Sequence, residues 1–324
     1  MTQITEDQFA ASLSAFLDEF EPILKKKAIA DNPYTTQVAH HVIDGGGKRF
    51  RPAMVYTAAQ CGSHIDRQRL ISAALVMELT HVASLYHDDV MDEAMVRRGQ
   101  PSANAVYGNS VAIMVGDFLF AQASSEVATL GVDYVALQAQ TFAELVQGQI
   151  AETIGSSEGE DHLEHYLSVI YGKTASLIRT AAVFGAMTSG ADQSVIDALG
   201  RYGEQIGMVF QLSDDIIDIV SDSTGKTPGT DLREGVSTLP TLLLRASEKD
   251  EDRRLVEMID AGLDDDDQLA KVVSALRSHP VIDEARAEVQ RRADIARSYL
   301  VDLPDNQARE WLDRVCDEMV SRSA

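Results

Sequence analysis

Apolar residues return at every third or fourth position along most of this chain. Phe9, Leu13, Phe16, Leu17 and Phe20 make one such stripe, and Leu70, Ala73, Ala74, Met77 and Val82 make another. Leu137, Leu145 and Ile150, then Leu163, Leu167, Ile170 and Ile178, continue the pattern. That spacing is the period of an amphipathic helix, and no segment sustains the period-two alternation of a half-buried strand. The chain therefore predicts an all-α fold of about ten to twelve helices, at roughly 20–25 residues per helix and loop. Breakers fall between the stripes: DNP at 31–33, DGGGKRFRP at 44–52, RGQPS at 98–102, GSSEGED at 155–161, TSGAD at 188–192, DSTGKTPGTD at 222–231, SHP at 278–280 and DLPD at 302–305. Pro22 is expected to kink or end the first helix. No repeat or long linker divides residues 1–324, which read as a single domain.

Composition narrows the function classes. The chain has 324 residues, 45% of them hydrophobic, and a net charge of −23. Such an acidic protein repels nucleic acid and anionic membrane surfaces, so an anionic ligand needs cations gathered locally. Cys61 and Cys316 suggest no disulfide framework, and the acidic N-terminal stretch does not resemble an export signal, so a cytoplasmic protein is expected. No window of 18 apolar residues is free of charge, so no membrane-spanning helix is expected.

Two acidic clusters stand against this background. In 86-YHDDVMDEAMVRRGQPSAN-104, Asp88, Asp89 and Asp92 lie three and four apart at the end of a strongly apolar run. On a helix they would share overlapping parts of one face. Asp214, Asp215 and Asp218 in 207-GMVFQLSDDIIDIVSD-222 repeat the D-D-x-x-D spacing. Carboxylates crowded beside apolar residues repel and resist desolvation, and protonation or divalent cations would relieve this. If the two helices face each other, six carboxylates converge on one cavity. Oxygen-only donors favour hard cations, and Mg²⁺ held by a few carboxylates keeps positions open for phosphate oxygens. Asp264–Asp267, equally acidic but after Gly262, reads instead as a solvated turn and helix N-cap.

Cations cluster near these acids. GGGKRFRP places Lys48, Arg49 and Arg51 after three glycines, which let backbone approach an anion. Arg97 and Arg98 follow the first acidic cluster, and GKTPGTD carries Lys226 after the second. Lys173 and Thr174 sit in a helical pattern, and His81 lies two turns before Asp88 on its face. Glu78 and His81 form one Glu-x-x-His pair, whereas a di-iron bundle wants two. Acids for metal, cations for diphosphate and a long apolar lining describe a site for a phosphorylated greasy molecule.

These motifs, in this order from about residue 38 to about residue 245, resemble the trans-isoprenyl (polyprenyl) diphosphate synthases. The resemblance implies an isoprenoid-synthase-like helical bundle around a central cavity and head-to-tail elongation of an allylic diphosphate by isopentenyl diphosphate. It implies that Asp88, Asp89, Asp92, Asp214, Asp215 and Asp218 hold magnesium, with Asp88, Asp92 and Asp214 ranked highest as ligands and about three ions present with substrate. Arg97, Lys173 and Lys226 would meet the allylic diphosphate; Lys48, Arg51, His81 and Arg98 would meet isopentenyl diphosphate. Thr174 and Gln211 would lie near the developing cation, and the GKTPGTD loop is a candidate lid. A homodimer and hand-over of product to a membrane are the family expectations. Val236 departs from the pattern, since many relatives carry lysine there.

Short-chain relatives place a bulky aromatic five residues before the first aspartate, where this chain has Ala83 followed upstream and downstream by Thr80, Met77 and Ser84. An open channel implies a long product of about six to ten isoprene units, with ~1.5 Å of helix rise per residue. Such a product suits a respiratory quinone side chain. Phe118 and Phe120 are candidates for a deeper floor. The alternatives are a short-chain synthase, a subunit of a heteromeric synthase, and a class I terpene cyclase, against which DDIID and GGGKRFRP argue.

Overall fold

The structure is a computed structural model that describes residues 5–221 and 228–323. The described residues are helical almost throughout, as the periodicity predicts. The N-terminal helices are α1 (Glu6–Lys27), α2 (Pro33–Asp44), α3 (Phe50–Ala59) and α4 (Arg67–Met91). A small hairpin, β1 (Val96–Arg97) and β2 (Gln100–Pro101), leads to α5 (Ala103–Tyr107), α6 (Asn109–Ala128) and α7 (Val132–Ile154). There follow α8 (His162–Ile170), a π-helical turn (Tyr171–Ala175), α9 (Ser176–Thr188), α10 (Gln193–Val220), α11 (Thr230–Arg233) and α12 (Leu239–Arg245). The last helices are α13 (Asp250–Asp260), α14 (Asp266–Arg277), α15 (Pro280–Tyr299) and α16 (Gln307–Ser321). The surplus over the expected number comes from short helices such as α5, α11 and α12, which span too few residues to show a periodic stripe.

Local chemistry starts these helices where the breakers stand. Asn32 caps α2 with Pro33 at its first turn, and His279 with Pro280 does the same for α15. Asp265 caps α14 by accepting from Gln268 N–H at 2.9 Å, which bears out the reading of the Asp264–Asp267 run. Pro22 neither ends α1 nor divides it: the helix continues to Lys27 because Phe16, Phe20 and Leu24 stay on one buried stripe across it. Packing of that stripe outweighs the hydrogen bond that proline forfeits.

The chain divides into two compact units. The first comprises Met1–Ala143, Leu177–Gly200 and Asp302–Leu312; the second comprises Glu144–Ser176, Arg201–Val301 and Asp313–Ala324. In the first unit, α4 packs along α6 and against α3. By length and hydropathy alone α4 and α6 could each cross a bilayer, but 78% of the apolar window of α4 is buried within the protein, marking it as a core helix. The window of α6 is 39% buried, and Ile113 and Met114 are exposed on it. In the second unit, α12 packs against α8, α13 and α15.

Candidate active site

In the first unit the three aspartates sit at the C-terminal end of α4. Asp88 and Asp89 occupy the last turn of α4, and Asp92 is its C-cap, its N–H donating to Asp88 O at 2.8 Å. Glu93 then turns the chain with φ +49°, ending the helix just after Asp92. Asp89 is fully buried, Asp88 half-buried and Asp92 exposed. Arg97 on β1 bonds twice to Asp89 Oδ1, through Nε at 2.7 Å and through Nη2. Asp89 Oδ2 is buried with no hydrogen-bond partner.

The hairpin that delivers Arg97 turns through Arg98 and Gly99, both at positive φ. A two-residue turn of that kind matches strand twist but strains a residue with a side chain. Among the described residues the non-glycine positive-φ positions are Arg49, Glu93 and Arg98, and all three border this site. Arg98 Nη1 donates to Val42 O at 3.3 Å, and its guanidinium lies over Gly47. A Cβ at Gly47 would stand 3.0 Å from Arg98 Nη1 and push that guanidinium aside, and the φ of +149° itself favours glycine there.

Beneath this loop Arg49 is a buried anchor. It donates to both carboxylate oxygens of Glu21 at 2.8 Å, to Glu78 Oε1 at 3.0 Å and to Ile43 O at 3.1 Å. Glu78 therefore serves Arg49 rather than a Glu-x-x-His metal pair. The neighbours of Arg49 in sequence stay available: Lys48 is exposed, and Arg51 is half-buried with its Nε buried and unpartnered. Burial above all, with Arg98 nearby and Glu78 pulling the other way, lowers Arg51 to about 10. Burial, then Arg51, Arg98, Arg97 and Arg49, hold His81 well below its ordinary range, so it is neutral. Crowded cations with an unmatched buried donor invite an anion.

The neutrality of His81 has a measurable consequence. Below about pH 6.5 the unfolded chain takes up a proton at His81 that the folded chain refuses, so acid weakens the fold. His81→Gln should flatten the fall in denaturation midpoint between about pH 8 and about pH 5. An unchanged slope would show that His81 titrates normally.

The four positions named for chain length are all buried on α4: Ala83, Ser84, Thr80 and Met77. Ala83 O lies on the seam with α6, 3.3 Å from where a Cβ on Gly116 would stand. Phe120, one of the candidates for a deeper floor, lies in an aromatic cluster. Its ring packs 5.5 Å from that of His87, the residue before Asp88, and 4.4 Å from that of Phe142.

In the second unit, Asp214, Asp215 and Asp218 lie in the last turns of α10. Asp215 is buried, while Asp214 and Asp218 are half-buried. Both oxygens of Asp215 are taken: Gln211 Nε2 donates to Oδ1 at 3.1 Å, and Tyr166 O–H donates to Oδ2. Burial raises Asp215 to about 6 in spite of these bonds. Thr174 O–H donates to Gln211 Oε1 at 3.1 Å, so Thr174, Gln211, Asp215 and Tyr166 form one chain. Asp218 accepts from Asp231 N–H at 3.2 Å and fastens the far end of the GKTPGTD loop. Lys226 lies outside the described residues. Val236 is exposed, and its N–H bonds to Asp231 O at 2.8 Å.

Lys173 and Thr174 lie on the π-helical turn, a form frequent at functional sites. Gly148 of α7 permits the close passage of that turn: a Cβ there would fall 2.7 Å from Lys173 N. The Lys173 ammonium pairs with Glu152 of α7. Glu152, Tyr166 and Arg322 are the participants that sequence reasoning missed. Each approaches from a distant stretch and carries no motif of its own.

Among the described residues, no group of three Asp, Glu, His or Cys side chains is gathered closely enough to hold a metal ion by itself. The donors nonetheless suit a hard cation. They are all carboxylate oxygens, one of them the orphaned Asp89 Oδ2, and Mg²⁺ commonly binds through one or two carboxylates completed by phosphates.

The family model for polyprenyl synthetase matches residues 32–276. The chain belongs to the polyprenyl synthetase family. It is therefore a prenyltransferase, as the motif resemblance implied. It is 43% identical to the nonaprenyl diphosphate synthase of Mycobacterium tuberculosis over 97% of this chain and 94% of that protein. A crystal structure of geranylgeranyl pyrophosphate synthase from Corynebacterium glutamicum complexed with calcium and isoprenyl diphosphate superposes with TM-score 0.88 at 40% identity, covering 98% of each chain. A decaprenyl diphosphate synthase from Rhodobacter capsulatus superposes with TM-score 0.89 at 29% identity, over 99% of this chain and 100% of that one. The all-α isoprenoid-synthase-like fold expected for this family member is borne out.

Proposed function

We propose that this chain extends an allylic diphosphate with isopentenyl diphosphate to an all-trans product of about thirty to fifty carbons, both units working as one catalytic domain. The observation that carries the reading is the crowd of Arg51, Arg98 and neutral His81, with Arg51 Nε buried and unmatched, in the unit that also holds Asp88, Asp89 and Asp92. Lys48, Arg51, His81 and Arg98 bind isopentenyl diphosphate. Arg97, Lys173 and Lys226 bind the allylic diphosphate, Arg97 and Lys173 exchanging or sharing the carboxylates that now hold them. Asp88, Asp92, Asp214 and Asp218 would hold divalent cations, which would screen the diphosphate as its C–O bond breaks. Asp89, oriented by Arg97, keeps its unpartnered Oδ2 for the same cations, and Asp215, engaged by Gln211 with Tyr166, orients the second set. Thr174 and Gln211 present polar oxygens toward the allylic cation. The isopentenyl double bond attacks the allylic carbon, a proton leaves the adduct and pyrophosphate is released.

The long product is supported by the nonaprenyl synthase relative and by Ala83 and Ser84 in place of aromatics. A twenty-carbon product is the second reading, favoured by the geranylgeranyl synthase at 40% identity. Incubating pure protein with Mg²⁺, labelled isopentenyl diphosphate and farnesyl or geranylgeranyl diphosphate, then sizing the dephosphorylated products, decides between them. A ladder reaching about thirty carbons or more upholds the long-chain reading, for which a quinone side chain and delivery to a membrane are the natural destinations. A stop at about twenty carbons overturns it. No elongation overturns independent activity and directs attention to Val236 and to a second subunit.

The exposed apolar face of α6, with Ile113 41% and Met114 62% exposed, supports a homodimer. The expected sedimentation of the wild-type chain is that of a dimer, and Ile113→Glu with Met114→Glu should yield monomers. A monomeric wild-type protein would refute this.

A further inference from the structure

We infer that Arg322 is a resident counterion of Asp214 that a metal ion must displace, so that cation loading is coupled to release of the turn after α16. The inference rests on the proposed role of Asp214 as a metal ligand. Arg322 Nη2 donates to Asp214 Oδ1 at 2.6 Å. A guanidinium keeps its charge at any working pH, so Asp214 is neutralised before any metal arrives. The pair is neither sealed nor loose: its side chains are 26% and 38% exposed.

The surroundings give the arginine an aromatic neighbour as well as the carboxylate. Its guanidinium lies 4.8 Å from the ring centre of Phe210, one turn before Asp214 on α10. The segment bearing Arg322 is fixed on both sides. Ser213 O–H donates to Met319 O at 3.0 Å, Arg286 Nε donates to Ser323 O at 2.7 Å, and Ser323 is buried. Arg322 is therefore held over the carboxylate by backbone anchors. A divalent cation brings twice its charge to the same oxygen, and arginine and metal repel each other there.

The test reads metal binding directly. Thermal midpoints are followed against Mn²⁺ at fixed inorganic pyrophosphate for wild type, Arg322→Gln, Arg322→Lys and Asp214→Asn with Arg322→Gln. The Mn²⁺ concentration giving half the rise should fall two- to fivefold in Arg322→Gln, the range for a partly exposed pair, and stay near wild type in Arg322→Lys. The double variant should lose the gain. In wild type, amide exchange over residues 319–323 should rise when Mn²⁺ and pyrophosphate are added. An unchanged or higher half-point in Arg322→Gln, or unchanged exchange, overturns the inference while leaving the metal site standing. No midpoint rise in wild type at any Mn²⁺ concentration overturns the metal role of Asp214 as well.

Discussion

Asp88→Asn and Asp214→Asn will each lower single-turnover elongation by about 10³-fold or more, with the protein still folded. The amide keeps the shape of the side chain and removes the charge on which a hard cation depends. Both positions are half-buried. Asp214→Asn also loosens the pair with Arg322, a partly exposed pair worth about 0.2–1 kcal/mol. A 10³-fold loss corresponds to about 4 kcal/mol, which that pair cannot supply. The capping Asp265, equally acidic and far more exposed, serves as control: Asp265→Asn should cost some stability and no activity. Paired rate and melting measurements decide the matter, and a near-normal rate in either of the first two variants would remove that residue from the metal site.

Ala83→Phe will shorten the product. Ala83 is fully buried on α4, five residues or about 7.5 Å of helix before Asp88. A phenyl ring there has two possible fates with different signatures. If α4 borders a channel, the ring fills it, the melting temperature holds, and products stop at about fifteen to twenty carbons. If Ala83 is ordinary packed core, overfilling costs about 1–3 kcal/mol and the product distribution stays as it was. Sizing products and melting the same sample separates these, and a destabilised enzyme with unchanged products would end the channel reading.

The helical fold was legible because stripes such as Phe9–Phe20 and Leu70–Val82 carry their period openly, and capping residues such as Asn32 and His279 stand at the breakers. The acidic and basic residues of the site were legible for the same local reason: D-D-x-x-D and GGGKRFRP are short spacings. Their differing fates were not. Asp89 and Asp215 are withdrawn into the protein beside Arg97, Gln211 and Tyr166, whereas Asp88 and Asp214 are only half-buried, and identical letters give no sign of this. Arg49 looked like Lys48 and Arg51, yet it serves Glu21 and Glu78. Such roles depend on partners brought from far along the chain, and spacing within a motif does not record them. The course of α1 through Pro22 was decided likewise by packing beyond its own turn.

The π turn at Tyr171–Ala175 bears on how this sequence can be edited and aligned. Its wider hydrogen-bond loop accommodates one residue more than an α-helix would, so it is in effect a single-residue insertion that the helix has absorbed. Positions before and after it are out of phase. A deletion in the turn after Lys173 would restore a plain helix and turn Lys173 by about 100° relative to the residues that follow it. Point changes on either side are tolerable in principle, but the length of the α8–α9 stretch is fixed, and a gap placed there in an alignment with a relative signals a displaced lysine rather than a harmless indel.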